Sequence, residues 1–367
     1  MKKIIKRIKE LTRDDQQLQS DVMKLIVFSR KVRTSEYHIT NLCNLRCKGC
    51  WYYNYEFDKI IDSKISQEQL VEFVLKEKKR KINSALLIGG EPTLVLDRIK
   101  VFVNLMQYVT ISTNGLKQFP HEDFENVTVA VSLFEGGPCD DEIRGQRSNG
   151  KRIQGLFDKV LSNYKNDKRV VFIYAVSEAG IDYIEETVKR IYQNGNKVSF
   201  NYYSYYGNNK GTVKKLSSTR NHLLAEIIRV KDMYSHTVAN NTYFLKTLIT
   251  QKSHWASFSY NECPSISIHH HEHKDRLLNG NPTLPFFNTY AADFKTIEFC
   301  CTSGKCDQCY DSQAIFSWIL VNIHRFLSDK ETLSIWAEIA MGYWRHFIWS
   351  PFHWSKNIVD GKKRITV

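Results

Sequence analysis

The sequence predicts an α/β fold with a parallel sheet, and three observations carry that prediction. Short apolar runs typical of strands alternate with amphipathic helical patterns between about residues 34 and 203. Strands that alternate with helices pair in parallel through right-handed crossovers. The chain has 367 residues, and a barrel-like α/β unit can use roughly 200 to 250 residues alone. We therefore expect one large domain with smaller appendages.

Residues 1 to 33 are predicted to form one or two basic helices. Their apolar residues recur at helical spacing: Ile4, Ile5, Ile8, Leu11, Leu18, Val22, Leu25 and Ile26. The segment holds ten Lys or Arg against four Asp or Glu, a net charge of +6. These helices are expected to cover another surface, either the sheet domain or a membrane.

Six strands and four intervening helices are predicted in the central region. The strands are Glu36 to Thr40, Ala85 to Ile88, Val109 to Thr113, Val127 to Leu133, Val170 to Val176 and Val198 to Tyr203. The helices lie around Gln67 to Glu77, Val95 to Met106, Ile153 to Tyr164 and Ile181 to Gln193. The third connection, 116 to 126, is too short and polar for a helix. A further helix over 215 to 235 is expected to close the side of the domain.

Three cysteines follow the first predicted strand. Residues His38 to Cys50 read H-I-T-N-L-C-N-L-R-C-K-G-C, with Cys43, Cys47 and Cys50 inside eight residues. Three thiolates this close cannot share one strand or helix face, so the backbone must curl and aim them at one centre. A [4Fe-4S] cluster usually takes four cysteines, so three would leave one iron open to a ligand. The alternative is a structural zinc site with His38 as fourth ligand, although a strand histidine is more often packed.

The spacing Cys-x3-Cys-x2-Cys after a short strand resembles the radical S-adenosylmethionine (SAM) superfamily. In that family the open iron is chelated by SAM, and an electron from the cluster cleaves SAM to a 5′-deoxyadenosyl radical that takes hydrogen from a substrate. The resemblance implies an open, partial (β/α)6 barrel of TIM type. It also implies that Cys43, Cys47 and Cys50 are cluster ligands and that flavodoxin or ferredoxin donates electrons.

Motifs after the next strands strengthen this resemblance. Gly89-Gly90-Glu91-Pro92 follows the second strand, where glycines permit close backbone approach and Pro92 stiffens the exit. The resemblance implies that Gly89, Gly90 and Glu91 contact the SAM amino group. The resemblance implies further cofactor contacts from Thr113 and Asn114 after the third strand and from Ser132 and Arg144 after the fourth. The alternative roles are a strand cap for Ser132 and a surface ion pair for Arg144. The sequence departs from the family pattern by placing Phe134 and Glu135 where an aspartate is common.

Cys139 lies in the loop after the fourth strand. A thiol there could donate a hydrogen atom to a substrate radical, as in some radical SAM epimerases. The alternative is a spare buried cysteine.

A second cysteine group lies beyond the alternating region. It comprises Cys263, Cys300, Cys301, Cys306 and Cys309, and the last two form a chelating turn with two residues between them. Four thiolates fit either structural zinc or a [4Fe-4S] cluster. The resemblance favours an auxiliary [4Fe-4S] cluster in a small SPASM-like or twitch-like subdomain. Either Cys300 or Cys301 would be the ligand.

The predicted organisation has four parts: a basic helical segment (1–33), the partial barrel (34–235), an auxiliary iron–sulfur region (236–330) and an amphipathic aromatic segment (331–367). In the last segment, apolar pairs recur every four residues, from Ile335 and Trp336 to Phe347 and Ile348. Such a stripe is usually core. Its tryptophans and basic ends would also suit a membrane interface or an apolar substrate.

The formal charge of +13 is compatible with nucleic acid, anionic lipid, an acidic partner or simply a solvated basic surface. No stretch is apolar enough to span a bilayer, and the N-terminus lacks a signal-peptide core. Nine cysteines in a reducing compartment indicate metal binding or catalysis. We therefore expect a cytoplasmic protein.

The sequence thus predicts a radical SAM enzyme with a second cluster, acting on a small molecule or lipid. The short N-terminal segment leaves no room for a leader-binding domain, which weighs against peptide modification. The remaining alternatives are peptide maturation or epimerisation, an RNA-binding or RNA-modifying protein, and a non-catalytic zinc protein.

Overall fold

A seven-stranded parallel sheet lies at the centre of the protein. The structure, a computed structural model, describes residues 2–54, 56, 59, 64–202, 217–250, 287–296 and 312–356. The strands are β1 Thr34–His38, β2 Ser84–Ile88, β3 Tyr108–Thr113, β4 Thr128–Phe134, β5 Val170–Val176, β6 Lys197–Tyr202 and β7 Thr289–Tyr290, in the order β6-β5-β4-β3-β2-β1-β7. Each strand from β2 to β6 pairs in parallel with its predecessor, which confirms the predicted α/β fold.

Helices connect and flank the strands. They are α1 Lys2–Leu11, α2 Gln16–Lys31, α3 Trp51–Asn54, α4 Gln67–Lys79, α5 Leu96–Leu105, α6 Gly137–Arg144, α7 Leu156–Asn163, α8 Ile184–Gln193, α9 Ser217–Met233, α10 Thr242–Thr250, α11 Ser312–Val321 and α12 Lys330–His346. Helix α7 begins three residues later than predicted because Gly155 adopts a left-handed φ of 66°. The Asp141 carboxylate caps that start by accepting from the backbone N–H groups of Gly155 and Leu156 at 2.6 and 2.8 Å.

The strands form the core because their side chains are covered on both faces. In β5, six of the seven residues are buried, as expected for a parallel sheet with helices on both sides. The pairing register aligns the carboxyl ends of neighbouring strands, with His38 opposite Ile88 and Val176 opposite Tyr202. The loops that follow the strands therefore meet at one edge of the sheet.

The N-terminal and C-terminal helices pack against each other near the opposite edge. Trp344 Nε1 donates to Ser29 Oγ at 3.0 Å. Thr110 Oγ1, near the start of β3, donates to the Phe347 carbonyl at 2.6 Å. The apolar stripe of α12 is buried, including Trp336, Ile339, Ala340, Tyr343 and Trp344. This stripe therefore belongs to the core, which was the first of its two interpretations.

Strand β7 was not predicted. It comes from the region expected to hold the auxiliary cluster and pairs with β1, with Tyr37 opposite Tyr290 and their rings stacked at 5.6 Å. A two-residue strand has no readable periodicity. The second cysteine group, Cys263, Cys300, Cys301, Cys306 and Cys309, lies outside the described residues.

Within the described ranges, no helix combines the length and the apolar character needed to cross a membrane.

Candidate cluster and cofactor site

The cysteine loop follows β1 and is fixed by backbone hydrogen bonds on two sides. On one side, Gly90 N donates to the Thr40 carbonyl at 2.8 Å and Glu91 N to the Leu42 carbonyl at 2.7 Å. On the other, Arg46 N donates to the Gln146 carbonyl at 2.7 Å and Lys48 N to the Ile143 carbonyl at 2.8 Å. The loop is thus held between the turn after β2 and the segment after β4.

Cys43, Cys47 and Cys50 are half-buried cysteines in this loop, and none of them is in a disulfide with another described residue. Burial raises the pKa of Cys47 to about 12, Arg144 opposes that shift, and Cys50 and Cys43 add to it. The three thiols therefore lie close enough for the charge of one to affect the pKa of another. This donor set fits an iron–sulfur cluster, which is held by thiolates and whose positive charge favours their deprotonation.

His38 has a packed position rather than an open one. It is 1% exposed, and its ring stacks on Tyr52 with centroids 5.5 Å apart. Its Nε2 lies 3.8 Å from Glu36 Oε1, and burial lowers its pKa. Among the described residues, no three His, Cys, Asp or Glu side chains are grouped around a position for one metal ion. A cubic cluster makes no such demand, because each cysteine binds a different iron.

The glycines after β2 are required by the cysteine loop. Gly89 has a φ of 143°, and a Cβ there would lie 2.6 Å from the Thr40 carbonyl oxygen. A Cβ on Gly90 would lie 2.1 Å from the Leu42 carbonyl oxygen. Both distances are too short for a side chain, so the loop can rest on this turn only because it lacks Cβ atoms.

Glu91 has no exposed surface, and its carboxylate is fully engaged within the protein. Oε1 accepts from Thr93 N at 3.0 Å and from the hydroxyls of Thr93 and Thr113, each at 2.7 Å. Oε2 accepts from Asn114 N at 2.7 Å. The side chain therefore locks the turn after β2 to the end of β3. What this turn can offer a cofactor is its backbone, including that of the buried Pro92, which begins a short 3₁₀ turn.

Asn114 connects β3 to the cysteine loop. Its Nδ2 donates to Asn44 Oδ1 at 2.7 Å and lies 3.8 Å from Cys43 Sγ. The neighbouring Thr113 is buried and committed to Glu91. The structure thus brings Asn114 beside Cys43, whereas Thr113 is fixed to the Gly-Gly-Glu turn.

Arg144 forms an ion pair that is buried, whereas the sequence offered a surface ion pair as the alternative to a cofactor contact. Its Nε and Nη2 donate to the two carboxylate oxygens of Asp140 at 2.7 and 2.9 Å, and both side chains are almost completely buried. Its Nη1 donates to the Asn114 carbonyl at 3.1 Å. The spacing of four residues on one helix was the available signal for this pair. The guanidinium therefore joins α6 to the loop after β3.

The remaining predicted site residues lie around β4. Ser132 is half-buried near the carboxyl end of that strand, and Cys139 is half-buried in the first turn of α6. Burial raises the pKa of Cys139, with smaller contributions from Glu135 and Glu142. Glu135 adopts a left-handed φ of 56° and accepts from Ser177 N at 2.9 Å and from the Ser177 hydroxyl. The departure from the family pattern thus provides a link between β4 and β5.

Comparisons with known proteins match the chain to a family model and to several relatives over part of its length. Residues 32–120 match the model of the 4Fe-4S single cluster domain family. A probable GTP 3′,8-cyclase of Saccharolobus solfataricus is 32% identical over 151 residues, which cover 38% of this chain and 44% of that protein. A GTP 3′,8-cyclase of Alkaliphilus metalliredigens is 31% identical over 94 residues, covering 24% of this chain and 29% of that protein. The chain thus matches less than half the length of these relatives.

Two solved structures resemble the fold more distantly. One is native anSMEcpe with bound AdoMet, with a TM-score of 0.46, 16% identity and coverage of 60% of this chain and 68% of that chain. The other is HydG, a maturase of the [FeFe]-hydrogenase, with a TM-score of 0.41, 12% identity and coverage of 99% and 94%.

The family match spans the cysteine loop and the Gly-Gly-Glu turn, and the relatives are similar over up to 151 residues. These matches, together with the cysteine and Gly-Gly-Glu motifs, support the identification of the chain as a radical SAM superfamily enzyme.

Proposed function

We propose that this protein cleaves SAM reductively and uses the resulting radical to take hydrogen from a small-molecule substrate. In this proposal Cys43, Cys47 and Cys50 hold a [4Fe-4S] cluster with one open iron, which binds SAM and supplies the electron for its cleavage. The observation that carries the proposal is that the loop with three cysteines is hydrogen-bonded to the turn at Gly89 and Gly90, where no side chain fits. Both lie at the carboxyl edge of a parallel sheet, where such domains place their reactive loops.

The other residues of this edge are assigned roles from their contacts. The backbone of Gly89, Gly90 and Glu91 faces the cofactor, and the Glu91 carboxylate fixes that turn to Thr113 and Asn114. Asn114 aligns the cysteine loop through Asn44. Glu91 is therefore proposed as a positioning residue rather than a ligand through its side chain.

Arg144 is proposed as a second positioning residue. Because its guanidinium is bound by Asp140 and by the Asn114 carbonyl, little of it remains for a SAM carboxylate. Ser132 stays a candidate cofactor contact. Cys139 stays a candidate hydrogen donor.

A nucleotide is our first choice of small-molecule substrate because the curated relatives are GTP 3′,8-cyclases. The matches cover less than half the length of these relatives, so GTP is a probe rather than an assignment. A lipid or a peptide is the alternative. The electron donor is proposed to be a flavodoxin or ferredoxin in a reducing cytoplasm.

The decisive experiment measures 5′-deoxyadenosine released from SAM by anaerobic, iron-reconstituted protein with dithionite. We expect release even without substrate, and no release from the Cys43→Ala variant. The Cys139→Ala variant serves as control and should keep iron content and uncoupled cleavage. Absence of the product from fully loaded wild-type protein would disprove the proposal. Adding GTP and looking for its consumption tests the substrate separately.

We further propose that residues 236–330 form an auxiliary iron–sulfur region, with four of Cys263, Cys300, Cys301, Cys306 and Cys309 as ligands. The support is the number and spacing of the cysteines, and zinc is the alternative. Metal analysis of the Cys43→Ala/Cys47→Ala/Cys50→Ala variant tests this. Roughly four iron atoms per chain should remain, whereas retained zinc without iron would contradict a second cluster.

A further inference from the structure

Four cations gather at the amino-terminal edge of the sheet, away from the cysteine loop. Lys168 lies two residues before β5, and Lys197 is the first residue of β6. Arg345 is in the last turn of α12, and Lys356 follows ten residues after that helix. Chain segments distant in sequence thus bring their charges to one place.

Two tryptophan rings lie beside three of these cations. The Nζ atoms of Lys168 and Lys197 lie 5.3 and 4.8 Å from the ring centroid of Trp354. The Nζ of Lys356 lies 5.3 Å from the centroid of Trp349. An aromatic face attracts a cation, but it does not neutralise the charge.

The nearby carboxylates leave the cations in excess. Burial lowers the pKa of Lys197, and the charges of Lys168 and Arg345 lower it further. Asp167, next to Lys168, is paired with Arg169 at 2.6 Å. Burial lowers the pKa of Arg345, and the negative charge of Asp21 opposes part of that change. The group therefore remains electropositive.

Buried hydrogen-bond donors accompany this excess charge. Arg345 Nε, His353 Nε2 and Trp354 Nε1 are buried and have no hydrogen-bond partner among the described residues. His353 is 0% exposed, and its Nδ1 lies 2.8 Å from Ser355 Oγ and 3.4 Å from Ser355 N. In the tautomer whose Nδ1 accepts from Ser355, Nε2 is the N–H donor. An unsatisfied buried donor costs about 1–3 kcal/mol, so three of them beside four cations are an unusual arrangement. Lys197 Nζ donates to the neutral His236 carbonyl, and within the described part of the chain the group lacks an acceptor with negative charge.

We propose that this edge of the sheet is a binding site for a phosphate group, held by Lys168, Lys197, Arg345 and Lys356 with His353 and Trp354 as further donors. A phosphate supplies negative charge and several strong acceptor oxygens. The group belongs either to a soluble phosphate compound or to a lipid headgroup. This site is independent of the proposed SAM chemistry, which lies at the opposite edge.

The test compares full-length wild-type protein with the Lys168→Gln/Lys356→Gln variant. Inorganic phosphate is titrated by calorimetry at constant ionic strength in chloride buffer. The Lys76→Gln/Lys79→Gln variant removes the same charge from the C-terminal end of α4 and serves as matched control. We expect wild type and control to bind phosphate, and the site variant to bind it roughly tenfold more weakly.

Vesicles distinguish the two sources of the phosphate group. Sedimentation with phosphatidylcholine vesicles that contain phosphatidic acid, lost in the site variant but kept in the control, identifies a lipid headgroup. Phosphate binding without sedimentation identifies a soluble compound. If wild type binds neither phosphate nor vesicles, or if the site variant binds as well as the control, the proposal is wrong. SAM is absent from these measurements, so failure of the proposed function does not affect them.

Discussion

Individual buried carboxylates organise the candidate site at the residue scale. Glu91 receives four hydrogen bonds, and Asp140 receives two from Arg144 and one from Phe134 N at 2.8 Å. Both side chains have 0% exposure. Hydrogen bonds to a buried carboxylate are stronger than neutral ones, so these two acids hold the loops in fixed relative positions.

Replacing Glu91 with Gln should destabilise the protein by about 2 kcal/mol or more, because a neutral amide weakens four hydrogen bonds and points N–H groups at donors. Urea unfolding measures this change. Glu72→Gln is the control, since Glu72 makes only an exposed pair with Lys76 at 2.8 Å and should cost under about 0.5 kcal/mol. Equal effects of the two substitutions would contradict the role assigned to Glu91.

Replacing Asp140 with Leu should destabilise the protein by roughly 3 to 5 kcal/mol, because it leaves Arg144 buried without its counter-charge. The double variant Asp140→Leu/Arg144→Met should recover part of that loss. Unfolding free energies of the two variants provide the comparison. A double variant less stable than the single one would show that the ion pair is not the main source of the effect.

At the scale of elements, the site depends on one loop resting on one turn. The cysteine loop touches the turn after β2 through backbone atoms, with no room for a side chain at Gly89 or Gly90. Packing this close transmits any change in the turn directly to the cysteines.

Gly90→Ala should therefore displace the cysteine loop, because its Cβ would lie 2.1 Å from the Leu42 carbonyl oxygen. We expect much lower iron content after reconstitution and a stability loss of roughly 2 to 4 kcal/mol. Gly342→Ala in α12 is the control, since its Cβ would have only an ordinary contact of 3.4 Å. Normal iron loading of Gly90→Ala would mean that the loop does not rest on this turn as described.

At the scale of the whole molecule, the N-terminal helices α1 and α2 contact α12 and the segment before it, at the edge of the sheet opposite to the cysteines. Arg7 Nε donates to the Leu327 carbonyl at 3.1 Å, and Lys330 lies 3.2 Å from both Asp14 and Asp15. Two histidines are buried in this region. Burial lowers the pKa of His346 to about 3, and the positive charges of Arg345 and Lys197 contribute to the change. Burial also lowers the pKa of His353 to about 3, with a smaller contribution from Lys356.

This arrangement predicts loss of stability on acidification. Both folded-state pKa values lie below the unfolded value of about 6.5, so the unfolded chain binds protons first. The contribution of the two histidines is complete above about pH 6.5 and is lost as the pH falls towards 3. Within that pH range, each histidine should lower the free energy of unfolding by roughly 1 kcal/mol per pH unit of acidification. Urea unfolding at two pH values in phosphate-free buffer measures it, and a His346→Gln variant with an unchanged pH slope would contradict it.

The sequence by itself determined the fold class and the place of the cysteine loop, because both depend on local patterns. Alternating strand and helix periods dictate a parallel sheet, and a loop after the first strand must lie at its carboxyl edge. Only the tertiary structure decided which polar side chains are already engaged. Glu91 meets Thr113 and Asn114 across 22 and 23 residues, and Trp354 meets Lys168 and Lys197 across still longer separations. Such contacts depend on the register of strands and on the packing of the chain ends, neither of which leaves a periodic signal in the sequence.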